Sequence, residues 1–469
     1  MSDNLHIIHR VNLEIEAPDL QTAHQVQEKA LLLLKNEILP RLERYLDSLD
    51  TGEKHFQLNQ LNLDLKSIAG VNFEEEFAND AVSVFREQLD ARIETAIATK
   101  DEPAERINEE QASLECFLYF LETGRLPWWS GKSGESIRED KLNLVISRWS
   151  APEARRRLFQ LFSENELAVQ RLLFQYSIPF VILLISKVIS ERSDVNKNVE
   201  ITTELLNEIR RRIESEPQLA NVLSRNLERE FLQGLILKIV AGKTSISYES
   251  LRLISEELII KALSVRARET VLQLLPTATT VKEHITVKNQ PEIKKWKTEV
   301  EGIFVQHAGL VLLHPFLEYY FKDFDLLKEG NFKNFESQTL SVHLLHYLAT
   351  GQENAAEYEM IFEKFLCGLD LDLPIDREVS ISQVMKDEGE KMLKAAIKHW
   401  SVLKSTSPDG LREGFLQRDG KLIRDDFQDR LVIESKAQDA LLSYLPWGYS
   451  IFRLPWMESA LYVEWQQSL

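Results

Sequence analysis

Apolar residues recur in two rhythms along this chain, and the change from one to the other marks out its parts. In HIIHRVNLEIE the residues Ile7, His9, Val11, Leu13 and Ile15 fall on one parity, and after Phe56 the residues Leu58, Leu61, Leu63, Leu65 and Ile68 keep a similar beat. A two-residue period puts alternate side chains on one face of a strand. Between these stretches, Asp19 stands where it can cap a helix through HQVQEKALLLLKNEILPRLERYLDSLD, which Pro40 bends or divides. Asn72 stands where it can cap FEEEFANDAVSVFREQLDARIETAIA, whose early carboxylates suit the positive end of a helix. The predicted order over residues 1–100 is strand, helix, strand, helix. Two strands alone make a marginal sheet. Self-association through the N-terminal strands, or pairing with a partner's strand, is therefore expected.

The stretch KDEPAERINEEQ, residues 100–111, is charged, contains Pro103 and reads as a linker. From Leu114 to about Leu275 the period turns helical. Stripes run through Leu114, Phe117, Leu118 and Leu121, then Leu158, Leu161 and Phe162, then Leu205, Ile209 and Ile213, then Phe231, Leu235 and Ile239, then Leu253, Leu258 and Leu263. The polar stretch PTATTVKEHITVKNQPEIKK marks a boundary near residues 276–295. Beyond it, GFLQRDGKLIR sets Asp419-Gly420 between two short strands, and a type I′ turn needs positive φ at both central residues. LVIES reads as a third strand and KAQDALLSYL as a helix. The fold class expected is mainly α with α+β ends. It comprises an α/β unit over residues 1–100, a central helical domain over 111–275, and a C-terminal helical domain with a β-hairpin over 296–469.

Two phrases echo each other. CFLYFLETG ends at Gly124 and HLLHYLATG ends at Gly351, and each is followed later by Trp-Ser, at Trp149-Ser150 and Trp400-Ser401. Internal duplication accounts for this, and so does a helix that twice ends with Gly in the left-handed position after its last turn.

Composition narrows the function. At 469 residues the chain exceeds one ordinary core, which stops growing near roughly 250–300 residues, so two or three domains are expected. The hydrophobic share of 44% and only 17 Gly and 14 Pro favour folded, regular segments. A formal net charge of -18 repels phosphate, which disfavours a nucleic-acid partner. Cys116 and Cys367 are too few for a disulfide framework. MSDNLHIIHR lacks the apolar core of a signal peptide, and the cytoplasm is the compartment expected. The most apolar run, Leu172 to Ile185, includes Gln175 and Pro179 and falls short of the roughly 20 residues that span a bilayer. It reads as a buried helix, with no membrane insertion.

The search for chemistry yields little. Ser130-Gly131-Lys132-Ser133 lacks the Gly that a phosphate loop carries six residues before its Lys, since Leu126 stands there. His307, His314, His343 and His346 cluster, and the last two sit at helical spacing where both could face one ion. Yet no carboxylate or Cys recurs in step with them, so they read as packed or surface histidines. No catalytic residue, cofactor or metal site is expected, and the chain reads as a non-enzyme that binds other proteins. Trp128, Trp129, Trp447 and Trp456 lie beside or close to prolines that stiffen the backbone, the character of protein-contact residues. Plugging their own cores is the other reading.

The phrases HRVNLEIE, LLLLKNEILPRLERYLD, LNQLNLDLKSI, FLETGRLPWW, HAGLVLLHPFLEYYF, LLHYLATG, SPDGLREGFLQRDGKL and LPWGYSIFRLPWM run across nearly the whole chain. Together they resemble the tape measure protein family of phage-tail-like contractile injection systems. The resemblance implies a component of a sheath-and-tube machine, assembled in the cytoplasm on a baseplate, that sets tube length. Tube subunits and the hub or cap proteins of the particle are the partners it implies. A cytoplasmic assembly chaperone or adaptor for tube or cargo proteins is the rival. A literal ruler should be one long helix, and the strands, the Asp419-Gly420 hairpin and breakers such as Pro40, Pro127, Pro179, Pro217 and Pro315 point instead to compact domains.

Overall fold

The protein is seen in a computed structural model that describes residues 20–48, 55–56, 73–98, 106–107, 109–127, 129–130, 134–146, 148–149, 151–189, 224–241, 302–403, 405–424 and 428–465, with a few isolated positions. Helices dominate these residues, and a small mixed sheet lies toward the C-terminal end. The chain divides into two units, residues 1–117 with 126–149, and residues 118–125 with 150–469.

In the first unit the helix Leu20–Leu33 widens into a π turn at Leu34–Ile38 and resumes as Leu39–Asp47. Pro40 sits in the first turn of the resumed helix. A proline has no N–H to return to the preceding turn, and the wide turn is where the helix absorbs that loss. Ile38 and Leu42, one turn apart, bury against Phe77, Ala78, Ala81 and Val82 of the helix Phe73–Ala98. The strands expected over Ile7–Ile15 and Leu58–Ile68 lie outside the described residues. What is described is an antiparallel pairing of β1 (His55–Phe56) with β2 (Arg106–Ile107). Part of the segment expected as a linker is therefore paired.

In the second unit most of the apolar run Leu172–Ile185 is buried, with Ser177 and Pro179 exposed, and it forms two helices, Glu166–Gln175 and Ile178–Leu184, and the start of a π turn. Ser177 makes the break, because its Oγ accepts from the Phe180 N–H at 3.3 Å and Pro179 fits only a first turn. Among the described residues no helix is long and apolar enough to cross a membrane. Leu158 and Phe162, and Phe231, Leu235 and Ile239 of the helix Ser224–Val240, are buried as their stripes predict. The stripes at 205–213 and 253–263 and the boundary at 276–295 fall outside the described residues, apart from isolated positions.

The sheet joins β3 (Ile303–Val305), β6 (Gly420–Arg424), β7 (Asp429–Ile433), β9 (Leu461–Trp465) and β8 (Ile451–Phe452) in that spatial order; β4 (Leu327–Lys328) and β5 (Asn331–Phe332) form a separate hairpin. Only β7 and β9 run parallel. The period of two sorts the faces: Val305, Leu422, Leu431, Ile433, Leu461, Val463 and Trp465 are buried, while the cross-strand row Phe304, Lys421, Val432 and Glu464 points the other way. A correction concerns Asp419-Gly420. The residues before it end a helix, Pro408–Leu411, and its π turn, Arg412–Leu416, so the pair opens β6 and the hairpin itself is β6–β7. Gly420 is required there by close approach, since an added Cβ would lie 2.8 Å from that of Ala308. KAQDALLSYL forms a 3-10 run, Ala437–Tyr444, and LVIES lies on β7 through Ile433.

The echoed phrases both end helices in the same way. Gly124 and Gly351 have φ of 73° and 75°, and their N–H groups donate to Phe120 and Tyr347 oxygens at 2.8 and 2.7 Å. Thr123 and Thr350 return hydroxyl protons to Tyr119 and His346 carbonyls. An arginine then binds the carbonyl three residues before each glycine, Arg171 at Leu121 and Arg412 at Leu348. The two sites differ in room. A Cβ on Gly351 would meet nothing closer than 3.7 Å, whereas one on Gly124 would lie 2.4 Å from Glu357 Oε1. Replacing Gly351 by Ala should cost about 1–2 kcal/mol for the left-handed backbone alone. Gly124→Ala should cost clearly more, as read by urea unfolding of the full chain; equal losses would contradict the geometry.

Candidate functional site

Three fully buried charged groups of the second unit meet at Glu357, which opens a single 3-10 turn, Glu357–Glu359. Its carboxylate accepts from Arg171 Nε at 3.0 Å on one oxygen and from Lys364 Nζ at 2.9 Å on the other, and all three side chains are fully buried. Two cations around one anion leave positive charge over, and backbone carbonyls absorb it. Lys364 donates to Leu371 and Leu373 oxygens at 2.6 and 2.7 Å. Arg171 donates to the Leu121, Glu122 and Asp372 carbonyls. Burial pushes the Lys364 ammonium below its ordinary range, with Glu357 opposing that shift. Gln175 extends the network, accepting from the Glu357 N–H at 2.9 Å and donating to Ile375 O at 2.8 Å. Arg229 then grips Asp376 with two donors.

A second hub lies under the sheet. Asp439 accepts from Arg418 at 2.8 Å, from Trp465 Nε1 at 3.0 Å and from the Lys436 N–H at 2.7 Å, so it ties the 3-10 run to β9.

The four histidines separate. His314 stacks on Phe452 at 4.4 Å and hydrogen-bonds Val311 O, and burial lowers its pKa. His343 and His346 both lie on the helix Phe335–Thr350 and are buried, yet His346 belongs with His307 and Glu363. His307 Nδ1 lies 2.7 Å from Glu363 Oε1, and His346 Nδ1 lies 3.6 Å from the same oxygen. One ligand atom from each of the three falls within 4.8 Å of the others. Burial opposes charge on His307, but Glu363 outweighs it and holds the imidazole above its ordinary pKa. Burial likewise opposes charge on Glu363, and His307 and His346 hold that carboxyl low. For His343, burial first and His346 second push the pKa down to about 4. Spacing alone paired His343 with His346; the missing signal was Glu363, which sits in IFEKFL far from either.

Of the tryptophans, Trp456 takes the packing role. It is buried against Phe321 and Phe332, and its indole N–H donates to Leu366 O at 2.8 Å. Trp447 is half-buried, edge-on to Phe316, with its N–H on Leu312 O at 3.0 Å. Trp129 is half-buried in the first unit, and Trp128 lies outside the described residues, as do Gly131, Lys132 and Ser133.

Around Glu357 and Asp439 the buried charges bind one another and the backbone. The chain belongs to the contractile injection system tape measure protein family, whose profile matches residues 5–465. That family is a structural assembly component. No curated protein and no solved structure matches the chain.

Two outcomes follow from this chemistry. Glu357→Ala leaves Arg171 and Lys364 buried without their shared anion and should cost about 3–5 kcal/mol in urea unfolding, with Glu357→Gln costing less because it keeps the shape and an acceptor. His343 stays neutral in the folded chain down to about pH 4, while the unfolded chain takes up that proton near pH 6.5. Its contribution is whole above about pH 6.5 and should fall by about 3 kcal/mol as the pH drops to about 4. His343→Leu should flatten that part of the stability profile; an unchanged slope would remove His343 as its source.

Proposed function

We propose that this chain controls tube length during assembly of a contractile injection particle, and that it does so without catalysing a reaction. Family membership over residues 5–465 is the observation that carries this reading. Tube subunits and the baseplate hub or cap proteins of the particle are the partners proposed, with Trp128, Trp129 and Trp447 as contact residues and further self-association through the segments expected as strands near the N-terminus.

Length arithmetic shapes the mechanism. Fully helical, 469 residues at about 1.5 Å each would reach roughly 700 Å. The longest helix among the described residues, Phe73–Ala98, reaches about 39 Å. Measuring by contour therefore requires the chain to be drawn out of its folded cores inside the tube. The extensive buried cores favour a second reading, in which the folded chain acts in the cytoplasm as an assembly chaperone or adaptor for tube or cargo proteins and leaves before firing.

Mass spectrometry of purified particles separates the two, since a tape measure is retained in them and a chaperone is not. Shortening or lengthening the segment 195–275 should change tube length in proportion in electron micrographs. Tubes of unchanged length with low particle yield would overturn the ruler in favour of the chaperone.

A further inference from the structure

The groups around Glu363 are satisfied only in part. Its Oε1 serves His307, whereas its Oε2, fully buried, has no hydrogen-bond partner. His346 Nδ1 is buried and unpartnered too, 3.6 Å from Oε1 and beyond hydrogen-bond reach. A carboxylate oxygen and an imidazole nitrogen left bare in a dry interior each carry a desolvation cost that an apolar pair would avoid. Something that both can bind at once removes that cost.

The three side chains come from three separately fixed segments. His307 follows β3 in the left-handed region, at φ 54°, and is held there because the Ala308 N–H donates to Arg418 O at 2.8 Å. Such a backbone is uncommon for a side chain that is not Gly, and strained positions gather where a side chain must be aimed. His346 stands on the helix Phe335–Thr350, and Glu363 on the buried helix Ile361–Leu366. Two imidazoles and one carboxylate form a donor set for a borderline divalent ion. Ligand atoms about 2.0–2.2 Å from such an ion lie roughly 3.4 Å apart in a tetrahedral shell, and the 2.7 and 3.6 Å distances bracket that spacing.

We propose that His307, His346 and Glu363 bind one divalent first-row transition ion of the zinc class, a staple that locks the start of the sheet to two helices of the C-terminal core. Binding displaces the proton shared by His307 and Glu363 and gives both Glu363 and His346 a common partner. The fourth position of the shell falls to a water enclosed in the core. The role is structural.

The test uses the full chain with any affinity tag removed, stripped by chelator and loaded with Co(II) as a spectroscopic probe. One equivalent of Co(II) should survive gel filtration with ligand-field absorption in the visible, and Zn(II) should compete it away and raise the melting temperature above that in EDTA. Glu363→Gln, which keeps the shape and can still hydrogen-bond His307, should lose both the absorption and the zinc-dependent rise. His314→Ala, outside the cluster, should keep both. A wild-type chain that retains no Co(II) and melts alike in zinc and in EDTA overturns the proposal and leaves a buried ion pair. So does a Glu363→Gln chain that binds as the wild type does.

Discussion

Glu357, a carboxylate held between Arg171 and Lys364 with no access to water, is the constraint on which the second unit depends. Removing two cations and an anion from water is costly, and the cost is met only while every donor finds its acceptor. That requirement fixes three stretches at once: the carbonyl end of the helix Glu109–Thr123, the helix Glu166–Gln175, and the loop through Leu371, Asp372 and Leu373. Apolar packing tolerates small slips of one helix along another. A network with these fixed acceptors does not, so it sets register as well as proximity.

The helix Ile361–Leu366 shows how tightly the interior is shared. All six of its residues are buried, including the adjacent charges Glu363 and Lys364. Lys364 serves the ionic core at Glu357, and Glu363 serves the histidines. A single short helix thus connects two polar centres, and moving it to improve one would spoil the other.

The helices were readable in the sequence wherever a stripe was unbroken, as at Phe231, Leu235 and Ile239, because periodicity reports burial directly. Boundaries were read less well. Ser177 split an apolar run that looks continuous, and Asp419-Gly420 imitated a hairpin turn while the helix Pro408–Leu411 and its π turn ran almost to its edge. The polar centres were not readable. Glu357 meets Arg171 from far along the chain, and IFEKFL looks like an ordinary amphipathic turn with its charges outward. Of the four tryptophans, Trp456 shows why proline neighbours mislead: a stiff backbone serves a core plug as well as it serves an exposed anchor.

The sheet has a consequence for how the chain is made. Ile303 on β3 pairs with Leu422 on β6, and β7 finds its parallel neighbour only in β9, at Leu461–Trp465. During synthesis the early strand therefore waits, with its edge unpaired, while more than a hundred further residues emerge, because pairings so distant in sequence form late. For that interval the nascent chain offers β3 and the apolar helices behind it to whatever binds first. On this schedule the fold closes only once the last strand, Leu461–Trp465, has emerged.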